Sequence, residues 1–130
     1  MDKQVRVSVV FQKNYAATTK IVVNQGSSRS GKTYSILQLL IIVKANEEKD
    51  AVFTIVRKTM PSLRASAMRD FFEILKNEDL YDERNHNKTE NTYMLNGNLF
   101  EFVSLDQPQK KRGAKRKYLF INEANELSLE

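Results

Sequence analysis

The sequence predicts an α/β domain with a mainly parallel sheet flanked by helices. Short apolar runs rich in β-branched residues alternate with stretches of helical periodicity. A turn rich in glycine and serine lies between the first such run and the first helix. One Asn-Gly pair joins two further strand-like runs. The 130 residues suffice for one domain with one core. Hydrophobic residues make up 41% and charged residues 28%, a globular rather than a disordered balance.

Residues 5–11 alternate in polarity and can add an edge strand. The run at 20–24 (KIVVN) reads as a buried strand, followed by the Gly/Ser turn at 25–31. Residues 32–45 read as a helix, with Ile36, Leu37, Leu40, Ile41 and Lys44 at helical spacing. Its far end is apolar nearly all round, which predicts deep burial. After a polar loop at 46–50, residues 51–56 (AVFTIV) form a second buried strand. Pro61 then sits near the start of a helix reaching about residue 76, which buries Leu63, Ala67, Phe71, Ile74 and Leu75. Residues 77–90 are polar and expected to be irregular, with His86, the only histidine, at the surface. The run TYMLNGNLFEF predicts a β-hairpin near 91–104 turning at Asn96-Gly97. A basic stretch at 110–117 leads into a third buried strand at 118–121.

Several function classes are excluded at this level. The absence of cysteine rules out a disulfide scaffold or thiolate metal site and suits a cytoplasmic location. The opening ten residues mix charge with single apolar residues, unlike a secretory signal. The longest apolar run, 39–43, falls far short of the ~20 residues a membrane helix requires, so no membrane role is expected. The net charge of +5 favours a polyanionic partner such as DNA. The basic run at 110–117 can contact DNA phosphate; it reads equally as a solvated loop, since no aromatics interleave it.

The chemistry concentrates in Gly26-Ser27-Ser28-Arg29-Ser30-Gly31-Lys32-Thr33, which matches G-x-x-x-x-G-K-[ST]. Glycines let the backbone turn tightly and bring its N–H groups against phosphate oxygens. Lys32 can reach the β and γ phosphates of ATP, and the Thr33 hydroxyl can ligate Mg²⁺. The helix that opens here adds its positive dipole end. Arg29, inside the loop, can stabilise the γ-phosphate or simply lie in solvent. The pattern arises by chance at only roughly a few positions in 10⁵, given glycine at about 7% of residues. Its place after a strand and before a helix is the context that confirms such a match.

A second motif ends the strand at 118–121. Asn122 stands where a metal-associated aspartate is usual, and can hydrogen-bond a Mg²⁺-bound water without supplying charge. Glu123 follows as the candidate catalytic base for polarising water. The competing structural reading makes Asn122 a helix N-cap, with Glu123 and Glu126 in the first turn. Arg57, just beyond the second strand's apolar run, can reach phosphate or a neighbouring subunit, or form a structural ion pair.

Three segments resemble the large terminase subunits of tailed phages. NQGSSRSGKTYSILQLL (24–40) is similar to their phosphate loop, which often carries an arginine, and IVRKTMPSLRASAMRDFFEIL (55–75) to their second strand and following helix. FEFVSLDQPQKKRGAKRKYLFINEANEL (100–127) resembles the approach to their acidic motif, including an Asn-Glu-Ala-Asn variant found in one branch. The resemblance runs from about residue 11 onward and implies a P-loop ATPase of the additional-strand, catalytic-glutamate type. It implies ATP hydrolysis with Mg²⁺ that drives double-stranded DNA into a procapsid. It further implies a homo-oligomeric ring docked on the portal protein, a small terminase subunit as partner, and a bacterial host cytoplasm. It places Gln12 and Tyr15 near the adenine, against the alternative of a surface glutamine and a packed tyrosine. Large terminases run to several hundred residues, so residues 1–130 are expected to be the N-terminal part of a truncated ATPase domain, without the later strands and the nuclease. Two other readings stay open: a P-loop ATPase of helicase or DNA-repair type, and a nucleotide-binding remnant without turnover.

Overall fold

The computed structural model describes residues 20–24, 32–107 and 117–122. Strand β1, Lys20–Asn24, is followed by a helical run, α1, in three segments: α-helical Lys32–Gln38, π-helical Leu39–Lys44 and α-helical Ala45–Glu47. After β2, Val52–Arg57, comes a second run, α2, made of α-helical Met60–Leu63, π-helical Arg64–Met68 and α-helical Arg69–Asn77. A 3₁₀ turn, Glu83–Asn85, leads into β3, His86–Asn87. β4, Thr92–Leu95, β5, Asn98–Ser104, and β6, Tyr118–Asn122, complete the described strands.

The six strands form one sheet in the order β1-β6-β2-β5-β4-β3. β1, β6, β2 and β5 run parallel, and β4 and β3 add an antiparallel border. The mainly parallel α/β sheet and its hairpin are therefore as the sequence predicts. β1 pairs directly with β6. An additional strand of the kind the resemblance implies is not among the described residues, and the edge strand expected at 5–11 lies outside them.

The sheet alternates cleanly. Phe53, Ile55, Phe100, Phe102, Tyr118 and Phe120 share a core with Leu37, Leu40 and Ile41 of α1 and Leu63, Ala67, Phe71 and Ile74 of α2. Phe53 lies between Phe100 and Tyr118, with ring centroids 4.4 and 4.6 Å away and nearly parallel planes. Register dictates this row, since Phe53 pairs with Phe100 on one side and Tyr118 on the other. The opposite-facing Val52, Val56, Leu119 and Ile121 are also buried, as strands covered on both faces require. Thr59 caps α2, its hydroxyl accepting from the Ser62 N–H at 3.3 Å, and Pro61 occupies the first turn, where a missing N–H costs nothing.

The hairpin turn is tied to the end of α1. Asn96 and Gly97 have φ of 56° and 81°, the positive pair that this tight turn demands. Asn98, fully buried, accepts from the Ala51 N–H at 3.0 Å and donates to the carbonyls of Ala45 and Glu48 at 3.0 and 3.1 Å. Those carbonyls close α1, where the helix has run out of intrahelical partners.

Two expectations are corrected here. The far end of α1 is not buried all round: Leu40, Ile41 and Ala45 are, but Leu39, Ile42 and Val43 are 40–44% exposed. Among the described residues α1 packs one stripe against the sheet and α2, which leaves its outer side uncovered. His86 is not a plain surface residue, nor is its surrounding stretch wholly irregular. Asp82 caps the 3₁₀ turn by accepting from the Arg84 N–H, and β3 pairs with β4. The His86 ring then stacks on Phe72 at 4.3 Å, and its Nδ1 lies 2.9 Å from the Tyr81 hydroxyl.

Burial, then the nearby Lys88 and Lys76, hold the His86 pKa below its ordinary value. The unfolded chain thus binds this proton more readily, and its contribution to stability is lost as pH falls below about 6.5. We expect the difference in melting temperature between wild type and His86→Gln to shrink from pH 7 to pH 5; a constant difference would contradict this account. Asn98→Ala should lower unfolding free energy by about 2 kcal/mol in denaturant titrations, since it strands buried backbone groups.

Candidate functional site

The carboxyl ends of β1, β6 and β2 reach one edge of the sheet at the same level. Asn24 pairs with Asn122, and Val56 with Ile121, so Arg57 comes level with Asn122. Open α/β sheets gather ligands at this edge. α1 begins here with Lys32, which is exposed, and Thr33, which is buried at 2% exposure.

The Thr33 hydroxyl donates to Asn122 Oδ1 at 2.8 Å, joining residues 89 positions apart. Asn122 is fully buried, and its Nδ2 donates to Ser66 Oγ at 3.4 Å. Arg57 Nη1 donates to the same Ser66 Oγ at 2.6 Å and reaches the Ser62 carbonyl at 3.5 Å. The Ser66 hydroxyl donates to that carbonyl at 2.7 Å, one helical turn back. One chain of hydrogen bonds thus links the start of α1, the end of β6, the middle of α2 and the end of β2. Buried polar atoms must find partners, and these four side chains supply them to one another.

The arrangement suits a small hard cation. A threonine hydroxyl has one proton and two lone pairs. The Thr33 proton is given to Asn122, so toward a cation the hydroxyl can act only through its oxygen. Hydroxyl and amide oxygens are ligands of the kind Mg²⁺ takes, and both are neutral. The charge needed to hold the ion must therefore come from phosphate or from other groups. Among the described residues, no group of three or more His, Asp or Glu could hold a metal by itself.

Of the residues singled out in the sequence, Lys32, Thr33 and Asn122 lie at this edge, and the structure brings the two proposed metal-associated groups into contact. Gly26, Ser27, Ser28, Arg29, Ser30 and Gly31 lie outside the described residues, as do Gln12, Tyr15 and Glu123. The strand-before, helix-after context of the loop is met from both sides, since β1 ends at Asn24 and α1 begins at Lys32. Arg57 makes hydrogen bonds to Ser66 and Ser62, neutral groups of α2. Of the basic stretch, Lys117 alone is described; its Nζ lies 3.9 Å from Glu48 and its backbone N–H donates to the Val52 carbonyl.

Ser66 went unmarked in the sequence. A signal was present: it is three residues after buried Leu63 and one before buried Ala67, a polar residue beside the apolar stripe of the helix. No helix among the described residues is long and apolar enough to cross a membrane.

Fold and edge together define an α/β protein whose candidate site lies where parallel strands end beside a helix start. The family model for the phage terminase large subunit matches residues 18–130, and the chain belongs to that family, whose role is in phage DNA packaging. No curated protein and no solved structure matches the chain.

Thr33→Val keeps the shape of the side chain and removes the donor to Asn122. It should destabilise the fold by about 1–3 kcal/mol, with Thr33→Ser close to wild type, in urea unfolding. Equal stability of all three would show that the bond contributes nothing.

Proposed function

We propose that this chain is the nucleotide-binding part of a DNA-packaging motor, which binds and hydrolyses ATP with Mg²⁺ to drive double-stranded DNA into a viral procapsid. The observation that carries this reading is the 2.8 Å contact between Thr33 and Asn122. It joins the hydroxyl that closes the G-x-x-x-x-G-K-[ST] motif to the residue at the tip of the strand ending in Asn-Glu. Membership in the terminase large subunit family supports the same reading.

In this mechanism Lys32 and the backbone N–H groups of residues 26–31 hold the β and γ phosphates. Arg29 offers a further cation to the γ-phosphate. Thr33 and Asn122 would hold the Mg²⁺ and its water; the ion, when bound, neutralises charge developing on the phosphates. Glu123 follows Asn122 directly and takes up the proton of the attacking water. Gln12 and Tyr15 contact the adenine. By the same reading the protein works in the host cytoplasm as a homo-oligomeric ring, with the portal protein and a small terminase subunit as partners.

A second reading, nucleotide binding without turnover, draws on one observation. Asn122 is a neutral amide, so the metal edge lacks the charge a carboxylate supplies.

Titration with a fluorescent ATP analogue in Mg²⁺ should give saturable binding that Lys32→Ala abolishes. Glu123→Gln should keep that binding and lose measurable phosphate release. Binding indifferent to Lys32→Ala would contradict the site, and turnover unaffected by Glu123→Gln would contradict the assigned base.

A further inference from the structure

We infer that Ser66 is a positioning residue for the metal edge, fixing the Asn122 amide so that its oxygen, not its nitrogen, faces Thr33. This rests on the proposed Mg²⁺–ATP site and deepens it. An aspartate presents oxygen on both sides and needs no such orientation. An asparagine presents oxygen on one side and N–H donors on the other, so something must choose between them.

The hydrogen bonds make the choice. The Ser62 carbonyl can only accept, so the single proton of the Ser66 hydroxyl points to it, at 2.7 Å. Arg57 can only donate, and it takes a Ser66 lone pair at 2.6 Å. Toward Asn122, Ser66 is therefore an acceptor, and the group facing it at 3.4 Å must be Nδ2. Oδ1 then faces Thr33 and receives its proton at 2.8 Å. A flipped amide would set two acceptors against each other at Ser66. It would also point an N–H at the Thr33 oxygen, occupying a lone pair meant for the cation. Ser66 is itself held from both sides, by its own helix through Ser62 and by β2 through Arg57. It lies in the segment Arg64–Met68 in the middle of α2.

The test is a cycle of four proteins: wild type, Ser66→Ala, Asn122→Asp and the double variant. For each, the Mg²⁺ concentration giving half-maximal binding of a fluorescent ATP analogue is measured, together with analogue affinity in EDTA. Ser66→Ala should raise the Mg²⁺ requirement roughly 3- to 10-fold and leave the EDTA affinity within about twofold. In the Asn122→Asp background the same change should move the Mg²⁺ requirement by less than about twofold, because a carboxylate has no orientation to lose. An equal rise in both backgrounds marks a merely structural serine and overturns the inference. So does no rise in a wild-type background whose binding depends on Mg²⁺ and Lys32. If wild type shows no Mg²⁺-dependent binding, the ATP reading itself fails and the inference with it. Should Ser66→Ala not melt cooperatively, Ser66→Cys, nearly the same size but a weak acceptor, replaces it; an unchanged Mg²⁺ requirement there is equally fatal.

Discussion

The structure turns on one buried hydrogen bond, from the Thr33 hydroxyl to the Asn122 amide oxygen at 2.8 Å. Each partner would be costly where it sits without the other. Asn122 is wholly out of solvent at the end of a central strand, and Thr33 is nearly so at the opening of a helix. Their pairing sets how closely α1 can begin to β6. Through Ser66 and Arg57 the same chain of bonds sets where α2 crosses the ends of β6 and β2. Polar satisfaction thus does at this edge what apolar packing does elsewhere.

At the other edge the devices differ. The row of Phe100, Phe53 and Tyr118 lies across three strands, and Phe71 of α2 packs against Phe100 and Phe102 with ring centroids 5.1 Å away in each case. Asn98 anchors the hairpin to the closing turn of α1. One helix is therefore fastened at both ends by buried asparagines, Asn122 through Thr33 at its start and Asn98 at its finish. Such fastening holds the first turn of the helix in register with the strand ends and its last turn against the hairpin.

Much of this was legible in the sequence. β-branched runs located β1 and β2, a short apolar run located β6, and Asn96-Gly97 located the hairpin, because a positive φ at two successive residues leaves few choices of residue. The stripe from Leu63 to Leu75 gave the buried face of α2. The G-x-x-x-x-G-K-[ST] pattern and the residue ending the third strand gave Thr33 and Asn122, and the family followed from the same segments. What stayed hidden depends on contacts between distant residues. Asn98 looks like an ordinary polar residue until the chain brings it to the end of α1, and the place of Ser66 beside an apolar stripe marks burial without naming Asn122 as its partner. The exposure of Leu39, Ile42 and Val43 was hidden for a related reason, because a residue's apolar character says nothing about which side of a helix has a neighbour. His86 was misplaced because the aromatic cluster around it is drawn from α2, β4 and the stretch between them.

The central claim, that Thr33 and Asn122 form the metal end of a nucleotide site, is tested most directly with Mn²⁺ as a spectroscopic stand-in for Mg²⁺. Electron paramagnetic resonance would count protein-bound Mn²⁺ in the presence of a non-hydrolysable ATP analogue, for wild type and for Thr33→Val. The account predicts about one bound Mn²⁺ per analogue in wild type and a large loss of bound metal in Thr33→Val, with the analogue itself still retained by the lysine and the loop. Equal metal occupancy in the two folded proteins would place the cation elsewhere and contradict the account.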